Sequence, residues 1–166
     1  PYGLRDGYLS ILFAHFLIPF KRSLIIASHG VEQELTAELF EEMVRRPQDY
    51  SFSIASWSKE QLDYYDALAE LFSEYINQVA LGKNRVKAIY DAMLLHYKNI
   101  PKFSRTTTKY VSSKTTEYRK LMAKTTTNYS EFLLTALGGL GQDLDDSLNT
   151  IKNAKLELEN VLYHVT

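Results

Sequence analysis

The sequence predicts a mainly α fold, with a small winged-helix-like α+β unit over residues 1–57 and a helical bundle over residues 58–166. Three observations carry this reading. Helical and strand patterns alternate through residues 6–57; two apolar stripes at three- and four-residue spacing follow from Leu62 onward; a last stripe with a heptad rhythm closes the chain. Helices bury such stripes against one another, whereas short β-branched runs bounded by turn residues form strands.

With 166 residues, 45% of them apolar and 13% aromatic, the chain can bury a core and falls outside the disordered class. The absence of cysteine excludes a disulfide framework, a thiolate metal site and a cysteine nucleophile, and agrees with a cytoplasmic setting. The chain opens on Pro1 and reads as a piece of a longer protein. The apolar run from Tyr8 to Phe20 is too short to cross a bilayer and lacks the flanks of a signal peptide. It is expected to be a core helix, and no membrane partner is expected.

Leu9, Leu12, Phe13, Phe16 and Leu17 mark one face of a helix over residues 6–18, stopped by Pro19. The run 23–28 reads as a strand closed by the His29-Gly30 turn. Thr36 caps a helix over 37–46, with Glu38, Glu41 and Glu42 toward its start and Arg45 and Arg46 at its end, as the helix dipole favours. After Pro47, residues 51–57 alternate like a half-buried strand.

Ser58 with Gln61 forms a capping box. Leu62, Tyr65, Ala69, Phe72, Ile76 and Val79 then predict one helix as far as Gly82. Val86, Ile89, Met93, Tyr97 and Ile100 predict a second, antiparallel to the first and ended by Pro101. Residues 103–127, rich in threonine, predict short helices broken by turns, with Tyr118, Leu121 and Met122 on the apolar face. Asn128 and Glu131 cap a helix through Leu137, and Gly138-Gly139-Leu140-Gly141 reads as a flexible joint. The last helix, 144–165, carries Leu144, Leu148, Ile151, Leu158, Leu162 and Val165, with Lys155 in the vacant heptad slot.

The motifs of catalysis are missing from the sequence. The glycine cluster at 138–141 is followed by Gln142 and Asp143, where a phosphate-binding loop has lysine and a hydroxyl. His15, His29, His96 and His164 stand singly, without metal-ligand spacing, and no nucleophile elbow occurs. The paired acids Glu41-Glu42 and the group Asp143, Asp145 and Asp146 sit at helix starts, where the dipole explains them. No catalytic residue, metal or cofactor is expected.

Charge is segregated behind a net value of −1: residues 32–74 carry −8 and residues 83–124 carry +9. The basic stretch supplies the candidate nucleic-acid contacts Lys83, Arg85, Lys87, Lys102, Arg105, Lys109, Lys114, Arg119 and Lys120, interleaved with Tyr90, Tyr97, Phe103, Tyr110 and Tyr118. Lysine and arginine neutralise phosphates and release counterions, and aromatic rings stack on bases. The competing reading is a basic face that pairs with the acidic segment while the tyrosines fill the core. The acidic helix 37–46 is a poor groove-reading element, so a nucleic acid is expected on the other half.

Residues 1–7 (Pro-Tyr-Gly-Leu-Arg-Asp-Gly) leading into an apolar helix, then Leu35-Thr36-Ala37-Glu38-Leu39-Phe40 through Arg46-Pro47 and Phe52, resemble a winged-helix-like segment in the C-terminal part of very large bacterial P-loop ATPases, some of them phage-defence proteins. Ile100-Pro101-Lys102-Phe103-Ser104-Arg105-Thr106-Thr107, with Tyr118-Arg119-Lys120-Leu121, is similar to a helical portion downstream in such proteins. The resemblance implies an accessory region of a larger polypeptide and transfers no site residue. The expected role is a non-catalytic accessory module binding DNA or RNA through residues 83–124. The alternative is a structural connector that meets a protein partner through its helices.

Overall fold

A computed structural model describes residues 11, 12, 14, 15, 17–20, 24–54 and 56–164, the side chains of residues 20 and 83 excepted. The chain divides into two compact units, 1–57 and 58–166. Among the described residues, no helix is long and apolar enough to cross a membrane.

In the first unit, residues 11, 12, 14, 15 and 17 are helical and a 3-10 turn follows over Ile18–Phe20. Leu17 is buried, but Leu12, expected on the same inner face, is exposed. Leu9, Phe13 and Phe16 lie outside the described residues or side chains. Strand β1 (Leu24–Ser28) is central in an antiparallel sheet of order β2-β1-β3, between β2 (Val31–Gln33) and β3 (Tyr50–Ile54). The His29-Gly30 turn joins β1 to β2 with φ values of 51° and 80°, the left-handed pair that matches strand twist in a two-residue hairpin. Strand β2, three residues long, is too short to show an alternating pattern in the sequence.

Helix α1 (Ala37–Arg45) starts on Thr36, whose Oγ1 accepts the Leu39 N–H at 3.1 Å. Leu17, Ile26 and Met43 form this unit's buried core, with Leu24, Leu39, Phe40 and Tyr50 packed around them. The expected half-buried alternation of β3 is not found. Phe52 and Ile54 share the face of Ile26 through the register Ile26↔Phe52 and Leu24↔Ile54, yet remain 38% and 51% exposed. An edge strand over so small a core is only partly covered.

The second unit begins with α2 (Lys59–Leu71), and both halves of the Ser58–Gln61 capping box are formed. The single helix expected as far as Gly82 is broken. After Leu71 come a 3-10 turn at Ser73–Tyr75 and a short α3 (Gln78–Lys83) that includes Gly82 and exposes Val79. Asn77 explains the new start, because its side chain accepts the N–H groups of Val79 and Ala80. Helix α4 (Arg85–Asn99) buries Val86, Ile89, Met93 and Tyr97, with Ile100 as its cap. It is no antiparallel hairpin partner of α2. Arg85 pairs with Asp66 and His96 meets Phe72, so contacts advance in the same direction along both helices. The extra turn and α3 carry the chain back to allow this.

Helices α5 (Lys102–Thr106) and α6 (Ser113–Met122) are the short helices expected, and Tyr118 and Met122 are buried. Helix α7 (Tyr129–Glu131), capped by Asn128, widens into a π-helical segment at Phe132–Leu137 that buries Phe132, Leu133 and Leu137. Helix α8 (Leu144–Asn160) ends in a 3-10 turn at Val161–His164. Its buried seam is Ser147, Ile151, Ala154, Leu158 and Val161; Leu162 of the expected heptad is exposed, and Val165 lies outside the described residues.

Where the glycines at 138–141 suggest a loose joint, the structure has a packed 3-10 turn with Leu140 buried. Ser147 Oγ donates to the Gly138 carbonyl at 2.6 Å and accepts the Gly141 N–H at 2.9 Å. A Cβ on Gly141 would press on the Ser147 backbone nitrogen and stand 2.6 Å from the Asp146 carbonyl carbon, whereas Gly139 has open space. Gly141→Ala is therefore expected to destabilise the fold by about 1–3 kcal/mol in denaturant titration, the range for overpacking. Gly139→Ala should leave the midpoint unchanged or slightly raised.

Candidate functional site

Pro101 fixes its own φ and opens α5 without needing a backbone N–H there. The helix lasts little more than a turn, because Thr106 bonds back to the Lys102 carbonyl at 3.0 Å and Thr107 closes on the Phe103 carbonyl at 2.8 Å. In the loop that follows, Thr107 Oγ1 accepts the Lys109 N–H. Tyr110 takes a left-handed conformation with φ of 66°. Ser112 then caps α6, its Oγ accepting the Thr115 N–H at 3.1 Å.

Two long-range anchors hold this loop. The Arg119 guanidinium, on a residue only 6% exposed, donates to the carbonyls of Ser104 at 3.2 Å and Thr107 at 2.6 Å, and to Thr116 Oγ1 at 3.3 Å. From α8, Glu157 Oε2 accepts the Ser112 N–H at 2.8 Å and the Thr115 hydroxyl at 2.6 Å. Burial alone would raise the Glu157 pKa, but these hydrogen bonds outweigh it and hold the carboxyl below its ordinary value. At the end of α8, the His164 ring lies on Tyr110, centroids 5.7 Å apart and planes 20° from parallel.

The nine basic residues singled out in the sequence do not form one surface. Arg119 is buried. Arg85 pairs with Asp66, Lys87 reaches Asp91 at 2.5 Å and lies 5.8 Å from the Tyr129 ring centroid, and Lys114 donates to the Leu140 carbonyl at 2.5 Å. The Arg105 guanidinium sits 5.9 Å from the Tyr97 centroid. The Lys83 side chain lies outside the described ones. Lys102, Lys109 and Lys120 are exposed, and no ion pair involves them among the described residues. Of the interleaved aromatics, Tyr90, Tyr97 and Tyr118 are core residues, while Phe103 is 45% and Tyr110 is 55% exposed. The outward residues at this corner are Lys102 and Phe103 on α5 and Lys109 and Tyr110 in the loop that follows it, with His164 stacked on Tyr110. No local pattern in the sequence announces His164 or Glu157, which reach the corner from α8.

A separate polar cluster joins buried His96 of α4 to half-buried Lys155 and exposed Glu159 of α8. His96 is almost wholly buried, edge-on to Phe72 at 5.3 Å and Tyr75 at 5.2 Å, and its Nε2 meets Glu159 Oε1 at 2.9 Å. Lys155, in the slot vacant of a hydrophobic residue, also binds Glu159 at 2.9 Å. Burial lowers the His96 pKa more than Glu159 raises it, and Nδ1 is buried without a hydrogen-bond partner. Protonation would thus create a buried N–H with no acceptor. Among the described residues, no group of three or more His, Cys, Asp or Glu is placed to hold a metal ion. An open groove of about 330 Å³ lies between the end of α6 and the π-helical segment, lined by Leu121, Phe132 and Ala136 together with Lys124, Glu131, Asn128 and threonines.

Comparison with family models, with curated proteins and with solved structures gives no match for this chain.

The His96 pKa lies below its ordinary 6.5 in the folded state, so the unfolded chain binds the proton more readily. Its contribution to stability is complete above the unfolded pKa and is lost as the pH falls toward the folded one. Stability by urea titration should begin to fall as the pH drops through the ordinary 6.5 toward the lower folded value, and His96→Gln should flatten that slope. An unchanged slope in the variant would remove His96 as the cause.

Proposed function

We propose that this chain is a non-catalytic accessory module of a larger bacterial ATPase-type polypeptide, cytoplasmic, and that it acts by holding a nucleic acid. The larger polypeptide is inferred from the resemblance of residues 1–52 and 100–121 described above. The binding role is supported by one observation: Lys102 and Phe103 are exposed on α5, and Lys109 and Tyr110 are exposed on the loop that follows, which is anchored at both ends. Lysines so placed offer ammonium groups to phosphates without first breaking an ion pair among the described residues.

The first unit is read as winged-helix-like from its order of helical residues, hairpin, α1 and third strand. It is not assigned the contact. Glu38, Glu41 and Glu42 are exposed on α1, the helix a groove reader would insert, and carboxylates there repel phosphates.

A connector that meets a protein partner through its helices is the second reading. It is favoured by the internal bonds of Arg85, Lys114 and Arg119, which put much of the basic stretch to work within the fold.

Fluorescence anisotropy of labelled DNA at low and physiological salt separates the two. The accessory-module reading expects micromolar binding that weakens steeply with salt. The double variant Lys102→Glu/Lys109→Glu should abolish it, two lysines on a single strand accounting for about −1.4 of the log–log salt slope. The connector reading expects no binding at low salt and no difference in the variant.

A further inference from the structure

We propose that the Tyr110–His164 pair is a stacking platform for a base of single-stranded nucleic acid, with Lys102 and Lys109 serving the adjoining phosphates. The inference rests on the nucleic-acid reading above and adds to it the kind of strand and the way it is held.

Tyr110 is the first support. Its φ of 66° is a conformation that bulky residues seldom adopt, and the ring gains little burial in exchange, being 55% exposed. Local packing therefore does not account for an aromatic residue at this position; glycine or asparagine would take the turn with less strain. The loop is held in that shape from both sides, by Arg119 on the Thr107 carbonyl and by Glu157 on the Ser112 N–H.

The second support is the ring geometry. Tyr110 and His164 are nearly parallel, 20° apart, with centroids offset at 5.7 Å, and both residues are exposed. An aromatic stack that ends in solvent leaves a flat π-face on which a further planar ring can lie. Nucleobases fit such a face whatever their sequence.

The third is charge. Lys109 precedes Tyr110 directly, and Lys102 begins the helix whose Phe103 carbonyl accepts the Thr107 N–H. Glu157, the acid bonded to this loop, has its Oε2 engaged by the Ser112 N–H and the Thr115 hydroxyl.

Within a duplex the bases are stacked on one another, so an aromatic face at a protein surface reaches them only at the two ends. The arrangement therefore selects an unpaired strand.

The test uses the full chain and three labelled probes: a twelve-nucleotide dT strand, the same strand with abasic sites, and a twelve-base-pair duplex. The dT strand is expected to bind about tenfold or more tighter than the abasic strand. Tyr110→Ala should remove that advantage while leaving abasic binding unchanged, and Tyr110→Phe should retain it. Tyr110→Gly guards against misfolding, since it relaxes the left-handed turn yet lacks the ring, and it should behave as the alanine variant does. Equal binding of dT and abasic strands, or an equal loss of both in Tyr110→Ala, overturns stacking while leaving a phosphate-binding module. Absence of binding by every probe overturns the nucleic-acid reading together with this one.

Discussion

The arrangement of the second unit depends on a charge placed inside it. Arg119 carries its guanidinium into a site with two backbone carbonyls, Ser104 and Thr107, from a stretch where α5 ends and irregular backbone begins. Carbonyls at a helix end have no intrahelical donor, and a buried guanidinium needs acceptors. Each satisfies the other. Hydrogen bonds with one ionised partner are stronger than neutral ones, so this single side chain fixes the loop to α6. Lysine in its place would present a point charge and lose the fork that reaches both carbonyls.

From that clamp the other features follow in order. Helix α6 is held to α8 by Glu157, which takes the role of an additional cap at Ser112 and Thr115. The buried seam of helix α8 includes the small residues Ser147 and Ala154, and Ser147 also secures the glycine turn at 138–141. The end of α8 then brings His164 onto Tyr110. The corner that faces solvent is thus built by contacts between residues far apart in the chain. Its lysines are exposed, whereas other basic residues of the same stretch have partners within the unit: Arg85 with Asp66, Lys114 with the Leu140 carbonyl. A segregated sequence charge is shared between folding and surface.

How much of this was legible depended on range. Caps are local, and Thr36, Ser58 and Asn128 start helices where the sequence places them. The stripe from Val86 to Ile100 is also a local property of one helix, and all five of its residues are buried. Periodicity misled where a break preserves the spacing. Phe72, Ile76 and Val79 keep a helical rhythm across a 3-10 turn, and only Asn77, an asparagine that caps as readily as it sits in a turn, marks the interruption. In α8 the leucines suggested a heptad seam, but the buried positions include a serine and an alanine whose value lies in being small. Glycines at 138–141 looked like slack because their sequence does not reveal what packs against them. The basic stretch was seen, and its division was not, since whether Arg119 points inward is decided by carbonyls 12 and 15 residues away.

The central claim is that Arg119 belongs to the fold and thereby shapes the corner. Urea unfolding of Arg119→Met, beside the parent chain, tests it most directly. Loss of the buried donor should lower stability by about 2 kcal/mol, because the buried Ser104 carbonyl and the part-buried Thr107 carbonyl lose their shared donor. Stability equal to the parent would contradict the claim and return Arg119 to the surface residues available for a ligand.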